Sequence, residues 1–288
     1  MIYHILLGVS AVLLAVDFSI NKKYQSCEGA GLVPGLKYNA INGLFTAVVF
    51  FAISGFHLDF SAFSIWMAFA QSFCCLFYSL IGFRILKNGN MALYSLFLMS
   101  GGMILPYLFG IAFLGEPLTA VRVVGLLLML AAIVISSEAK ISTAKAVLPL
   151  CAAIFLLNGM VSIISKCHQI DTTHHAVSSQ QFVILTGLTK FLMSGMGLVL
   201  CKPKEEKLTL PAKPMLGLIV GSAAIGGLSY MLQLVGAAHL PATVTYPLIT
   251  GGSIVFSTLA DVVFFKERTS KRQWLSVILC LVGTCFFL

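Results

Sequence analysis

Across 288 residues the sequence is 59% hydrophobic and only 10% charged, with a mean hydropathy of +0.99. Soluble globular domains run about 45–50% apolar and about 25% charged, so a water-soluble fold is excluded and most of the chain belongs in lipid. The net charge of +8 comes without any basic stripe interleaved with aromatics, and its lysines and arginines sit between apolar runs as topology signals, which excludes a nucleic-acid partner.

About 20 apolar residues cross the hydrocarbon core as a helix. The first such run, 2–20, follows Met1-Ile2-Tyr3-His4. That start lacks a basic segment and no small-residue cleavage site follows the run, so it is expected as a first span rather than a removed leader. Further runs lie at 36–55, 61–83, 91–114 and 118–137, with Gly115-Glu116-Pro117 as the break between the fourth and fifth. The second set lies at 146–165, 176–200, 214–236, 241–265 and 271–288. The eight cysteines form no CxxC pair and no Cys/His zinc spacing. Cys74, Cys75, Cys151, Cys280 and Cys285 fall inside apolar runs, where a thiol serves as a small hydrophobe. No metal and no cofactor is called for.

Sliding the chain against itself reveals a repeat. A shift of 144 places Lys22 on Lys166 and Gly43 on Gly187; a shift of 150 places Ser72 on Ser222, Ser79 on Ser229, and Gly101-Gly102 on Gly251-Gly252. The change of register falls at the longer polar loop from Lys202 to Lys207, and a consistent register on both sides of one gap is hard to obtain by chance. The expected fold is therefore an all-α integral membrane protein of ten transmembrane helices. Residues 1–140 and 141–288 are two five-helix repeats, and an odd number of spans per repeat inverts the second. Inverted repeats are characteristic of secondary transporters, with a substrate site near the bilayer midplane between the repeats. The alternate loops 1–2, 3–4, 5–6, 7–8 and 9–10 hold 15 of the 18 Lys+Arg, the opposite side only Arg122 and Lys166. Positive residues mark the cytoplasmic side, so both termini are expected outside the cytoplasm of a cell membrane.

Phe113-Leu114-Gly115-Glu116-Pro117-Leu118-Thr119 closes span four, with Gly125 following, and Phe264-Phe265-Lys266-Glu267-Arg268-Thr269-Ser270 closes span nine. With the links Tyr78–Ala92 and Ala237–Ala242 and the lysines Lys22, Lys23 and Lys166, the whole chain resembles the EamA-like, ten-span branch of the drug/metabolite transporter superfamily. The resemblance implies a pathway between spans one to four and six to nine, with spans five and ten at the periphery. It also implies the opposite orientation, because many members place the N-terminus inside. Small multidrug resistance proteins, four-span relatives, carry a glutamate eight residues before a lysine of span one. Asn158 fills that slot before Lys166, so an amide replaces the carboxylate of their proton/cation exchange.

Polar groups at mid-span are the candidates for substrate binding, since a polar side chain facing hydrocarbon is costly unless satisfied or hydrated. Lys190, about ten residues from the end of span seven, is too deep to snorkel easily; it either pairs with a carboxylate, stays neutral, or binds an anionic group of a substrate. No mid-membrane carboxylate is expected in the other spans. Asn158, Gln71, Tyr78, Asn42, Tyr230, Gln233 and Tyr246 complete the candidate lining. Asp17 and Asp261, each about four residues from the end of its span near Lys22 and Lys266, read as interfacial salt bridges or coupling groups. Glu116 and Glu267 suit the positive N-terminus of the next helix. The pairs Gly101-Gly102 and Gly251-Gly252 read as close helix contacts across the pseudo-twofold axis, and Pro106 and Pro247 as bends. His168, His174 and His175 are expected in one loop, without four ligands for a metal. The chemistry is asymmetric: the counterparts of Lys190 and Asn158 are Thr46 and Leu14.

No phosphate-binding loop is present. The leading expectation is a secondary transporter of small metabolites, such as amino acids or other polar or amphipathic compounds, with the lipid bilayer and a small-molecule substrate as partners. A lipid or lipid-linked sugar flippase of the same fold and an intramembrane enzyme are the alternatives. Monomer and homodimer both stay open.

Overall fold

The structure is a computed structural model describing residues 1–29, 31–87, 91–137, 144–201, 211–266 and 270–288. Ten helices follow in chain order: α1 (Ile2–Glu28), α2 (Leu32–Ile53), α3 (Ala62–Lys87), α4 (Met91–Phe113), α5 (Ala120–Ser137), α6 (Ala144–Ile170), α7 (Ser179–Cys201), α8 (Lys213–His239), α9 (Ala242–Phe265) and α10 (Lys271–Cys285). No strand occurs among the described residues. Eight of these helices, α1–α4 and α6–α9, are long and apolar enough to cross a membrane. The two shorter ones, α5 with 18 residues and α10 with 15, pack against each other.

The first helix departs most from the sequence reading. It runs to Glu28 instead of stopping near 20, because the polar segment after Ile20 continues the helix beyond the apolar run. Tyr24 anchors this extension, buried against Tyr38 and Ile219. Mid-chain breaks follow local chemistry: Gly115 adopts a left-handed φ of 65° after α4, and a Ser270/Gln273 capping box starts α10.

The helices pack in exchanged pairs. α2 lies on α7, α4 on α9 and α5 on α10; α1 lies on α8 and α9, as α6 lies on α3 and α4. Replacing each helix by the one five places away returns the same set of pairings. At the α2–α7 crossing Gly43 and Gly187 face each other's backbone. The crossing of α5 and α10 is made the same way by Gly125 and Gly283; small residues let helix backbones approach where lipid supplies no hydrophobic force between helices. Outward faces are apolar: Val121, Val124, Leu127 and Val134 of α5 and Leu275, Ile278, Leu281 and Val282 of α10 are exposed, as suits a lipid-facing surface.

The glycine pairs do not meet across the axis. Gly101 and Gly102 receive Phe155 and Asn158 of α6, Gly251 receives Thr284 and Met129, and Gly252 receives Ala11 of α1. Pro106 and Pro247 lie inside α4 and α9 as expected, and Pro149 inside α6.

Candidate functional site

Two adjoining cavities occupy the middle of the bundle, of about 230 Å³ and about 500 Å³. They share Gln71, Tyr78, Lys190, Gly226 and Tyr230, and together they fall in the size range of small-molecule sites. The smaller is lined from α1, α2, α3, α7 and α8, the larger from α1, α3, α4, α6, α7, α8 and α9; neither takes a residue from α5 or α10. Asp17 and Asn42 line the smaller cavity, and Asn158, Gln233 and Tyr246 the larger.

Lys190 is placed on α7 so that its Nζ donates to Asn42 Oδ1 at 2.8 Å. Asn42 Nδ2 donates to Ser222 Oγ at 3.1 Å, and the Ser222 hydroxyl donates to Asp17 Oδ1. Tyr38 OH is also hydrogen-bonded to Ser222 Oγ. A half-buried cation and a half-buried carboxylate are thus joined through two neutral side chains from two other helices, α2 and α8. Such a connection reduces the large cost of isolated charges away from water. The absence of a mid-membrane carboxylate expected from the sequence is therefore corrected: α1 is 27 residues long, which puts Asp17 near its middle instead of four residues from its end. Gly226 of α8 makes room for it, since a Cβ there would stand 3.0 Å from Asp17 Oδ2.

Asp261 does form an ion pair, Lys22 Nζ to Asp261 Oδ1 at 2.8 Å, with side chains 42% and 36% exposed. An exposed pair of this kind contributes under about 1 kcal/mol.

In the larger cavity Tyr230 OH donates to Gln71 Oε1 at 2.9 Å and lies 3.0 Å from Ser165 Oγ. Gln233 Nε2 donates to Ser229 Oγ at 3.1 Å, and Tyr246 OH to the Ser162 carbonyl. Asn158 Nδ2 donates to the Leu98 carbonyl at 2.7 Å, so its amide ties α6 to α4 while it lines the cavity.

Beyond this end of the cavity the α8–α9 turn is held from both sides. Lys166 Nζ donates to the carbonyls of Ala237 at 2.6 Å and Leu240 at 2.7 Å. The carboxylate of Glu116 accepts from the backbone N–H groups of Ala242 at 2.6 Å and Thr243 at 2.8 Å. Each charge sits at the helix end of opposite partial charge. Glu116 thus caps α9, and not the helix that follows it in sequence, because the α4–α5 link folds back over the α8–α9 turn; Glu267 lies outside the described residues. Glu116→Gln leaves one acceptor for two donors and is expected to lower unfolding stability by about 1–2 kcal/mol. A thermal melt in detergent checks this, with Glu116→Asp as the charge-retaining control.

The three histidines do not share a loop. His168 lies within α6, fully buried between Phe63 and Phe182, with Nε2 2.9 Å from Ser64 Oγ. His174 lies outside the helices and bonds Asp171 at 2.9 Å. Hydrogen bonds from the His174 ring and backbone and from Thr173 hold the Asp171 carboxyl well below the usual range, at about 2. Among the described residues no group of three or more His, Cys, Asp or Glu could hold a metal ion.

Sequence reasoning passed over Tyr38, Ser222 and Cys75. Ser222 carried a signal, its match to Ser72 in the repeat, but a serine in an apolar helix has many local partners and the match alone gave it no role. Cys75, read as packing, lines the smaller cavity.

The architecture is that of a multi-pass membrane protein with a polar cavity at its centre. Residues 170–288 match the EamA-like transporter family, which belongs to the drug/metabolite transporter superfamily. No curated protein matches the chain. Among solved structures, one crystal structure of a protein superposes with a TM-score of 0.75 over 98% of this chain and 96% of its own, at 19% identity, a likeness of fold.

Proposed function

We propose that the chain is a secondary transporter of small metabolites bearing a carboxylate or other polar group, such as amino acids, working by alternating access between α1–α4 and α6–α9. The observation that carries this reading is the pair of cavities. Their lining draws on those eight helices, and they hold two connected charges in the middle of a lipid-embedded bundle. Intramembrane charges facing a cavity are characteristic of substrate and ion pathways.

The exchange of helix pairings between the first and last five helices supports two repeats, residues 1–140 and 141–288, with the second inverted by its odd span count. Rocking of one bundle against the other then exposes the cavities to alternate sides. In this reading the Lys/Arg-rich loops are cytoplasmic and both termini lie outside. A C-terminal reporter active only outside the cytoplasm tests that orientation, and activity only inside reverses it.

The function is tested by flux into proteoliposomes and by thermal stabilisation, screened over amino acids, nucleobases and cationic dyes. Saturable uptake of at least one soluble metabolite is expected. Uniformly negative results for soluble compounds overturn the reading and favour a flippase of lipids or lipid-linked sugars.

A further inference from the structure

We propose that Asp17 is a proton-binding site coupled to an anion site at Lys190, so that one proton travels with each singly charged carboxylate the protein carries. The inference rests on the transporter reading and adds its driving ion.

The hydrogen bonds between the two charges have fixed directions. Lys190 donates to Asn42, Asn42 donates to Ser222, and Ser222 donates to Asp17. A hydroxyl has one proton and two lone pairs. With the Ser222 proton on Asp17, Tyr38 must donate to Ser222, and both lone pairs of Ser222 Oγ are then taken, one by Asn42 and one by Tyr38. With Asp17 a carboxylate the chain is fully satisfied. A proton added at Oδ2 leaves Oδ1 accepting from Ser222, and one added at Oδ1 turns the Ser222 hydroxyl toward Tyr38; either way the negative charge joined to Lys190 through Asn42 and Ser222 is removed. Asn42 is the group that holds the ammonium of Lys190, whose other N–H donors are available to a ligand.

Charge balance points the same way. Among the described residues, the ionisable groups around this chain are Tyr24 of α1, Tyr38 of α2, Cys75 and Tyr78 of α3, Lys190 of α7 and Tyr230 of α8. On the α9 side the next charges are Lys22 and Asp261, paired with each other. Asp17 and Lys190 therefore balance in a setting where net charge is costly. An anion on Lys190 leaves one uncompensated negative charge, which a proton on Asp17 neutralises. A proton on Asp17 in turn leaves Lys190 unbalanced and receptive to an anion. The two binding events favour each other by the same factor. The step is a simple protonation: the carboxylate of Asp17 gains a proton from water on one side and returns it on the other, with no other bond made or broken.

The test uses the full chain in detergent, weakly buffered near neutral pH at constant ionic strength, titrated with sodium formate while an indicator dye follows proton uptake. Formate is small enough to reach Lys190 whatever the natural substrate. Uptake approaching one proton per protein is expected at saturation. It is expected to vanish in Asp17→Asn, which keeps the acceptor for Ser222, and in Lys190→Met, and to persist in Asp261→Asn. No uptake by the wild-type protein, or uptake unchanged in Asp17→Asn, overturns the proposal. Metabolite flux that proceeds without proton uptake leaves the transporter reading standing and this one refuted; proton uptake with no flux of any solute does the reverse.

Discussion

Replacing Lys190 with Met is expected to cut flux of carboxylate-bearing solutes about ten- to a hundred-fold while leaving the protein folded. Hydrogen bonds to charged groups contribute about 1.5–3 kcal/mol, and each 1.4 kcal/mol or so is a factor of ten in affinity or rate. Met matches the length and apolar stem of Lys, so the α7 contacts along that stem persist. What disappears is the ammonium, along with its bond to Asn42 Oδ1 at 2.8 Å. Asn42 retains its bond to Ser222, and Asp17 can take a proton to avoid standing alone as an uncompensated charge. Proteoliposome flux at matched protein content, with size-exclusion elution as the folding check, reads the outcome. Unchanged flux in a well-folded Lys190→Met variant removes the lysine from the site. A loss confined to anionic and zwitterionic solutes, sparing neutral ones, ties it to the substrate carboxylate.

Much of this arrangement was legible in the sequence, for a physical reason. A chain that must satisfy every backbone group inside lipid has few options besides long helices, so ten apolar runs translate almost directly into ten helices. Lys190 and the amides and tyrosines around it were legible because polar groups stand out in apolar runs. Their mutual geometry was not. Asp17 looked interfacial because the apolar count stopped near Ile20, yet the helix continues for another eight residues to Glu28. Polar residues at a membrane boundary neither end nor extend a helix on composition alone; here Tyr24 extends it by packing against Tyr38 and Ile219. Ser222, the link between Asp17 and Asn42, was hidden for a different reason. A hydroxyl in a membrane helix can bond the preceding turn, as Ser79 does to the Cys75 carbonyl, and nothing in the sequence distinguishes the serine that reaches across. Glu116 had the right role on the wrong helix, since contact between α4–α5 and α8–α9 is a property of the folded bundle.

Gly43→Ala is expected to be among the most damaging single-methyl additions in the molecule, and Gly43→Val to prevent assembly of the bundle. A Cβ on Gly43 would stand 2.7 Å from the Gly187 carbonyl oxygen and 2.8 Å from the Phe191 nitrogen. Both are backbone atoms of α7, so no side chain can swing aside and the two helices must separate. In lipid little restores the lost contact, because association depends on close packing and not on a hydrophobic force. Overpacking a tight core costs about 1–3 kcal/mol, and separation here also stretches the site: the same Cβ would lie 3.2 Å from Lys190 Cβ, and the neighbouring residue is Asn42, which holds the lysine. Gly195, also on α7, has nothing within 4 Å of a built Cβ. Alanine there should be neutral or stabilising by about 0.5–1 kcal/mol through helix propensity. Thermal melts of the two alanine variants in one detergent make the comparison direct, with Gly43→Ala well below wild type and Gly195→Ala at or above it. If the two variants melt together, the α2–α7 crossing is not the tight contact that holds Asn42 against Lys190, and flux through Gly43→Ala should then be normal as well.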